Sequence, residues 1–398
     1  MIGAIRRYSR QQKRSSPNSS EASRKKRRAK SGEGNGLYDL RLNYNPEQPQ
    51  ERFKVAGVKS ALLARASDRL PSPIPWPAAG KPTPAPLSNA PPETDDLAKF
   101  KGYDAIIVTY TSAEAAALAT LFTPGYPTSV WYEYRHDVAA YIPLVTGAES
   151  PFNDTKPDMS RYYHSLGLYF PCTIGRAKVL LIKSGLHLDH DGPATPYRKL
   201  MDELVKTIQP KVFITTGTGG GIGTEVALGD IVIAGVVKFH CTDQFKDRQK
   251  YPWNADSYWT TPAPAKALMA ITPALTSVNA ARINKYDSRS VPKIWSAATD
   301  AIVTTDFFAF DDSQDTYKLQ GLGRACDMGD AMVGNVMQGY PSTKWFAVRN
   351  ASDPQIPNPN GNIKTAGDLS SQIYSDYGVF TSAASVIASW AIIDAIIN

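Results

Sequence analysis

Hydrophobic positions follow two regimes along this chain, and the change comes near residue 98. Beyond it, short apolar runs alternate with stretches of helical spacing, the mark of an α/β fold. Asp104–Tyr110 (DAIIVTY) is a continuous apolar run, as a strand buried on both faces requires. The Ala-rich SAEAAALATLF that follows reads as a helix, with Ser112 as its N-cap and Glu114 in its first turn. Lys178–Lys183 (KVLLIK), Val212–Thr215 and Gly229–Val237 (GDIVIAGVV) read as further strands, as do Ile302–Thr304 and Trp345–Val348. In Tyr197–Ile208 the residues Leu200, Leu204 and Ile208 share one helical face. A last helix spans about Tyr374–Ile397, rich in Ala and Ser that permit close packing on a sheet. Residues 238–290 are aromatic and loop-rich and show no clear period.

The first 98 residues read differently. Residues 1–36 are polar, Ser-rich and basic, with the cluster Arg24-Lys25-Lys26-Arg27-Arg28. Such a segment buries too little apolar surface to offset chain entropy, so disorder is expected. The stretch from Val55 (VAGVKSALLARASDRL) fits a short helix, and residues 71–92 hold nine prolines, an extended linker. The domain plan is therefore 1–98, a disordered basic tail and Pro-rich linker, and 99–398, one catalytic domain.

Charge sharpens this division. The chain of 398 residues carries a net +7, but residues 1–100 hold 19 Lys and Arg against 9 Asp and Glu, and the remainder 25 against 28. The basicity belongs to the tail. It reads as a solvated arm, or as a nucleic-acid contact or nuclear import signal. Cys172, Cys241 and Cys326 are too few and too scattered for a disulfide framework and fit a reducing compartment. No secretory leader and no run of 18 apolar residues is present, so a cytoplasmic protein without membrane contact is expected.

The strongest chemical signal is VFITTGTGGGIG, Val212–Gly223, in which a strand enters a loop with five glycines in seven residues. Glycine lets backbone N–H groups approach a ligand closely and form a nest for an anion or oxygen. The run matches neither the dinucleotide fingerprint nor the phosphate-binding P-loop.

Extended to TGTGGGIGTEVALGDIVIAG, the segment resembles the nucleoside phosphorylase superfamily, with Gly229-Asp230-Ile231-Val232 at the family's spacing. Four more segments agree in order: IIVTYTSAEAAAL near the start, VTTDFFAF (Val303–Phe310), CDMGDAMVGNV (Cys326–Val336) and WFAVRNASDPQI (Trp345–Ile356). The resemblance covers about residues 103–397 and is strongest to the methylthioadenosine/S-adenosylhomocysteine nucleosidase branch. It implies a three-layer α/β fold with a central mixed, partly barrel-like sheet flanked by helices. It also implies a homo-oligomer, a small-molecule nucleoside or nucleotide as ligand, and no metal or organic cofactor.

What the resemblance implies about residues can be weighed against the chemistry. Cleaving a purine N-glycosidic bond leaves negative charge on the departing base, which needs a proton at N7. Asp353 is the candidate acid, with Ser352 beside it; a desolvated pocket would keep its proton near neutral pH. Glu114 falls where the hydrolytic branch carries the carboxylate that activates water. Phe308 would stack on the base, worth roughly 1–3 kcal/mol by analogy with nucleic-acid binders. Met328 would frame base and sugar, Arg349 belongs to the same motif as Asp353, and Thr216, Gly217, Thr218, Gly219 and Gly220 would lie beside the sugar or an anion. In GLHLDHDGP, His187, Asp189, His190 and Asp191 cluster like ligands of a metal hydrolase, but the spacing is not the His-x-His-x-Asp-His of metallo-β-lactamase-like enzymes; by position, His187 or Asp189 would lie near water and sugar.

Two departures bear on substrate. The first loop is Thr109-Tyr110-Thr111-Ser112, without the Gly and Arg of the phosphorolytic branch, which favours water as acceptor. The family's Met-Glu pair, which grips the ribose hydroxyls, reads Met328-Gly329-Asp330. Either Asp330 takes over from a shifted position or the sugar is held differently, as a deoxy, phosphorylated or modified sugar would be. The expected activity is hydrolysis of a purine nucleoside or nucleotide, adenine foremost. A phosphorylase and a nucleotide-sensing module without turnover are the alternatives.

Overall fold

The computed structural model describes residues 74–146, 165–188, 194–242, 245–247, 251, 255–277 and 291–398. The basic tail, the helix read from Val55 and Asp189–Asp191 lie outside them.

The sheet begins with β2 (Ala105–Thr109), preceded by the short β1 (Pro82–Pro84). Helix α1 (Ser112–Phe122) follows β2 directly. Its N-cap is Thr111, one residue before the expected Ser112, because the Thr111 hydroxyl accepts from Glu114 N while the Glu114 side chain accepts from Thr111 N, closing a capping box. Then come β3 (Tyr132–Tyr134), α2 (Val138–Thr146), β4 (Gly167–Ile174), β5 (Ala177–Ser184), α3 (Pro196–Ile208) and β6 (Val212–Gly221). The chain continues through β7 (Ile231–Ile233), β8 (Val236–Phe239), β9 (Ser257–Trp259), α4 (Ala265–Ser277), β10 (Ile294–Trp295), β11 (Ala301–Thr304) and β12 (Ala325–Asp327). It ends with α5 (Asp330–Met337), β13 (Lys344–Asp353) and α6 (Ile363–Ile397).

Strand β6 organises the sheet. Its first half pairs in parallel with β2, which leads outward to β5, β4 and β1. Its last residues turn to β12, and the path continues through β11 and β8 to β9. Along its other edge β6 pairs in parallel with β13, which pairs with β7. Because β7 and β8 are consecutive, the ring β6–β12–β11–β8–β7–β13 curls the mixed sheet into a partial barrel. The expected single strand Gly229–Val237 is split between β7 and β8 at Ala234-Gly235, since the two halves pair with different partners.

The Gly-rich run is strand as far as Gly221, where a loop was expected. The glycines are there for close approach. A Cβ on Gly219 would lie 2.7 Å from the Cys326 carbonyl oxygen, and one on Gly217 would lie 2.5 Å from the Glu114 carboxylate. Side chains would separate β6 from β12 and from the start of α1.

Successive strand residues feed opposite faces, as period-2 geometry requires. Ile107, Val212 and Ile214 join α1, α4 and α6 in one core, while Ile106, Val108 and Phe213 join α2, α3 and α5 in the other. The result is three layers, helices on both sides of the sheet. Helix α6 begins eleven residues before the expected Tyr374. Its apolar half, Phe380–Ile397, is long enough to cross a bilayer but is 78% buried inside the fold.

Residues 74–98, read as linker, lie on this framework. β1 extends the sheet by pairing antiparallel with β4. Trp76 packs against Trp390 at 4.7 Å between ring centroids, and Trp390 Nε1 donates to the Gly80 carbonyl at 2.6 Å. Leu97 and Phe100 are buried in the second core.

Candidate active site

Parallel strands end together, and the loops at their C-terminal ends enclose a cleft. Its lining comes from the β2–α1 loop and the first turn of α1, His187, the end of β6, the segment after β11, the end of β12 with Met328, and from β13 and α6.

Glu114 sits on the first turn of α1, buried at 3% exposure. Its Oε2 accepts from Thr109 Oγ1 at 2.9 Å, Tyr110 N at 2.8 Å and Thr111 N at 2.8 Å. Its Oε1 accepts from Thr218 N at 2.8 Å and Thr218 Oγ1 at 2.7 Å. Five donors hold one carboxylate at a helix N-terminus, where negative charge is favoured. Tyr374 Oη donates to Thr111 Oγ1 at 2.7 Å and so ties α6 to this corner.

Asp353 ends β13 and lines the same cleft, 3% exposed. Ser352 Oγ lies 2.8 Å from its Oδ1, and Ser370 Oγ on α6 donates to its Oδ2 at 3.1 Å. Burial pushes the carboxyl up to about 7, against the lowering pull of the two hydroxyls and aided by the charge of Asp311. Ser352 Oγ also lies 3.2 Å from the Gly219 carbonyl. A hydroxyl carries one proton, so Ser352 donates to the carboxylate when Asp353 is ionised. It turns to Gly219 and accepts when Asp353 is protonated.

A buried charge cluster adjoins the same cleft. Arg349 Nε donates to Asp330 Oδ2 at 2.9 Å, and Arg349 Nη2 donates to Asp330 Oδ1 at 2.6 Å and to Asp327 Oδ2 at 3.0 Å. The fork geometry of guanidinium makes the Asp330 contact bidentate. Asp327 also accepts from Thr304 Oγ1 at 2.6 Å and Asp330 N at 2.8 Å. Burial and the Asp330 charge raise Asp327 above the ordinary carboxyl range, against Arg349 and these donors. The Arg349 guanidinium lies 5.3 Å from the centroid of the Tyr110 ring, and Tyr110 Oη shares a 2.6 Å hydrogen bond with Tyr197 Oη.

The cleft brings together most of the residues singled out in the sequence. Glu114, His187, Thr218, Gly219, Gly220, Phe308, Met328, Arg349, Ser352 and Asp353 all line it. Thr216 and Gly217 do not; they lie deeper in β6, Thr216 at 1% exposure. Asp330 does not reach the cleft either, because Arg349 takes both its oxygens beneath the floor. The position expected to grip the sugar therefore fixes the arginine instead. Gly329 leaves room for its neighbours: a Cβ there would come 3.0 Å from Tyr197 Oη. Tyr110 and Thr111, from the loop read as the acceptor side, also line it, and Thr305, Ala309, Cys326, Asp327 and Tyr374 complete the lining without having been singled out in the sequence. Among them Asp327 had a usable signal, since it adjoins Met328 in the same motif.

The sequence model of the Phosphorylase superfamily matches residues 136–368, more than half the chain, with β6, β12 and β13 inside the match. The chain belongs to this superfamily. Solved structures that align with this superfamily member include a 5′-methylthioadenosine/S-adenosylhomocysteine nucleosidase from Colwellia psychrerythraea in complex with adenine. It is 16% identical over 74% of this chain and 96% of that one, with a TM-score of 0.44. A putative nucleosidase of the same kind from Francisella philomiragia is 13% identical over 74% and 100%, with a TM-score of 0.45. The futalosine hydrolase of Helicobacter pylori is 12% identical over 74% and 99%, with a TM-score of 0.44. No protein with a curated description matches the chain.

Proposed function

We propose that this protein hydrolyses the N-glycosidic bond of a purine nucleoside or nucleotide, with Asp353 as general acid and Glu114 as the carboxylate that directs water. The observation that carries the reading is the occupancy of the anion nest. The N–H groups of Tyr110, Thr111 and Thr218 all point to Glu114. A phosphate acceptor would need such donors, and here a built-in carboxylate takes them. Water, which needs an acceptor for its proton, is suited by the same arrangement.

The two carboxyls divide the work by environment. Asp353, held protonated near neutrality by burial, delivers a proton to the base nitrogen as the C–N bond breaks. The water oxygen adds to the anomeric carbon and its proton passes to Glu114, directly or through the Thr218 hydroxyl that lines the cleft. The products are free base and free sugar, and the two carboxyls have exchanged one proton. Phe308 and Met328 supply the apolar walls for the base, and the resemblance of their segments to the family favours a purine, adenine foremost.

The test is base release from nucleosides, deoxynucleosides and nucleotides, with and without inorganic phosphate. Release without phosphate that is abolished by Asp353→Asn and Glu114→Gln supports the reading. Release only with phosphate replaces hydrolysis by phosphorolysis. Binding without release from any substrate makes the chain a sensing module.

A further inference from the structure

Thr111, at the N-cap of α1, and Thr218, near the end of β6, both line the cleft and both donate to Glu114. Their hydroxyls are oriented in opposite senses. Thr111 Oγ1 accepts from Glu114 N at 3.3 Å and from Tyr374 Oη at 2.7 Å. A hydroxyl oxygen has two acceptor sites, so both are taken. Its own proton meets no acceptor among the described residues, which leaves Thr111 a donor toward the cleft. Thr218 is the reverse. Its proton goes to Glu114 Oε1 at 2.7 Å, and among the described residues no donor reaches its hydroxyl oxygen.

Glu114 has no site left for a water. Two carboxylate oxygens offer about four acceptor sites. Thr109 Oγ1, Tyr110 N and Thr111 N take Oε2, and Thr218 N and Oγ1 take Oε1. A water in the cleft reaches the carboxylate through the Thr218 hydroxyl. Tyr374 completes the arrangement. Burial and the Glu114 charge push its phenol above the ordinary range, against the Thr111 and Thr218 hydroxyls beside it, so it stays protonated. Its one proton is committed to Thr111 and that of Thr218 to Glu114. The two threonines thus present one donor and one acceptor side by side, the pair of polar partners that orders a water.

We propose that Thr111 and Thr218 seat the attacking water, Thr111 donating to its oxygen and Thr218 accepting its proton, and that Tyr374 is the positioning residue that makes Thr111 a donor. The catalytic part rests on the reading of Glu114 as the carboxylate that directs water. No co-reactant is required. The water oxygen bonds to the anomeric carbon as the C–N bond breaks, its proton moves to Thr218 Oγ1, and the Thr218 proton moves to Glu114 Oε1. The base leaves with the electron pair of the C–N bond and takes its proton from Asp353. Thr111 and Tyr374 keep theirs.

The first experiment needs no turnover. Crystal structures of the wild type and Y374F should show, in the wild type alone, one water within about 3 Å of both hydroxyls. Without the phenol, Thr111 is free to turn and accept, and that water should be lost. Its absence from the wild type overturns the proposal, as does an unmoved water in Y374F. The second experiment is base release in aqueous methanol, with free sugar and methyl glycoside measured separately. Y374F and T111V should lower kcat about 10-fold, the worth of one hydrogen bond, with KM little changed. They should also raise the ratio of methyl glycoside to free sugar, whereas a merely structural defect lowers both products alike. T111S, which keeps the hydroxyl and the cap, should restore the ratio. The double variant should be no slower than T111V, because Tyr374 acts through Thr111. An unchanged ratio in folded Y374F overturns the proposal. Y374F leaves the cap intact and decides alone if T111V does not fold; if neither folds, the wild-type water decides. If the wild type releases no base, the nucleosidase reading fails while the crystal structures still judge the water seat.

Discussion

Thr218 donates to Glu114 twice, from its backbone N–H and from its hydroxyl, and so locks together two residues 104 positions apart in the chain. The hydroxyl is the part that can also meet a water in the cleft. Thr218→Val keeps the shape and the N–H and removes only that group. We expect kcat to fall about 10- to 100-fold and stability by about 1 kcal/mol, the net worth of one hydrogen bond. Steady-state kinetics beside a urea melt checks both.

Glu114→Gln puts an amide where five donors converge. Its NH₂ must face donors on one side, so fold and chemistry both suffer. The expected losses are about 10²-fold or more in kcat and about 1–3 kcal/mol in stability. Gly217→Ala should reproduce part of this with the carboxylate intact, because the added methyl would stand 2.5 Å from it. A Gly217→Ala protein with unchanged kcat would mean that the position of Glu114 does not limit the rate.

Asp353→Asn should separate activity from stability. Between the ordinary carboxyl range and pH 7 the native protein keeps a proton on Asp353 that the unfolded chain has lost. Stability from this group is therefore full at low pH and declines as pH rises through that window. The variant lacks this decline, so it should be more stable than the wild type at about pH 8, by on the order of 1.4 kcal/mol for each tenfold by which folding tightens the carboxyl's hold on its proton. The difference should vanish near pH 4, where the unfolded carboxyl regains its proton. Base release should drop about 10²- to 10⁴-fold. Thermal melts at the two pH values, with product chromatography, measure both effects.

Arg349→Met strands Asp327 and Asp330 beside each other without their cation. Removing one partner of a buried ion pair costs about 3–5 kcal/mol. The double variant Arg349→Met/Asp330→Asn should recover part of it, because one uncompensated charge is gone. Equal melting of single and double variants would show that the Asp330 side chain is not the source of the loss.

The layers of the fold were legible because burial on both faces writes continuous apolar runs such as Asp104–Tyr110 and KVLLIK. Boundaries were not. β6 runs on through its glycines because pairing with β12 and β13, which no local pattern encodes, decides where it ends. α6 starts at Ile363, where the Asn362 side chain caps it, but its first turns were not legible because Ile363–Ile373 carries polar residues on an exposed side and lacks the density of apolar positions further on. Within the cleft, Glu114, Ser352 and Asp353 were readable from motifs of consecutive residues. Tyr374 was not, since its role depends on where a distant helix crosses the start of α1. Asp330 was read as a sugar ligand because sequence shows a carboxylate next to Met328 but not the guanidinium that claims it.

The proline-rich segment ahead of β2 has a bearing on how this protein is handled. β1 covers the outer edge of β4 with two residues that have no backbone N–H to offer a further strand, Pro82 and Pro84. A chain cut at residue 99 would uncover the β4 backbone that β1 pairs with and the Trp390 ring together. Such a fragment keeps every catalytic candidate, yet it would present fresh strand edge to its own copies and tend to precipitate, so an inactive truncation would report on aggregation rather than on chemistry.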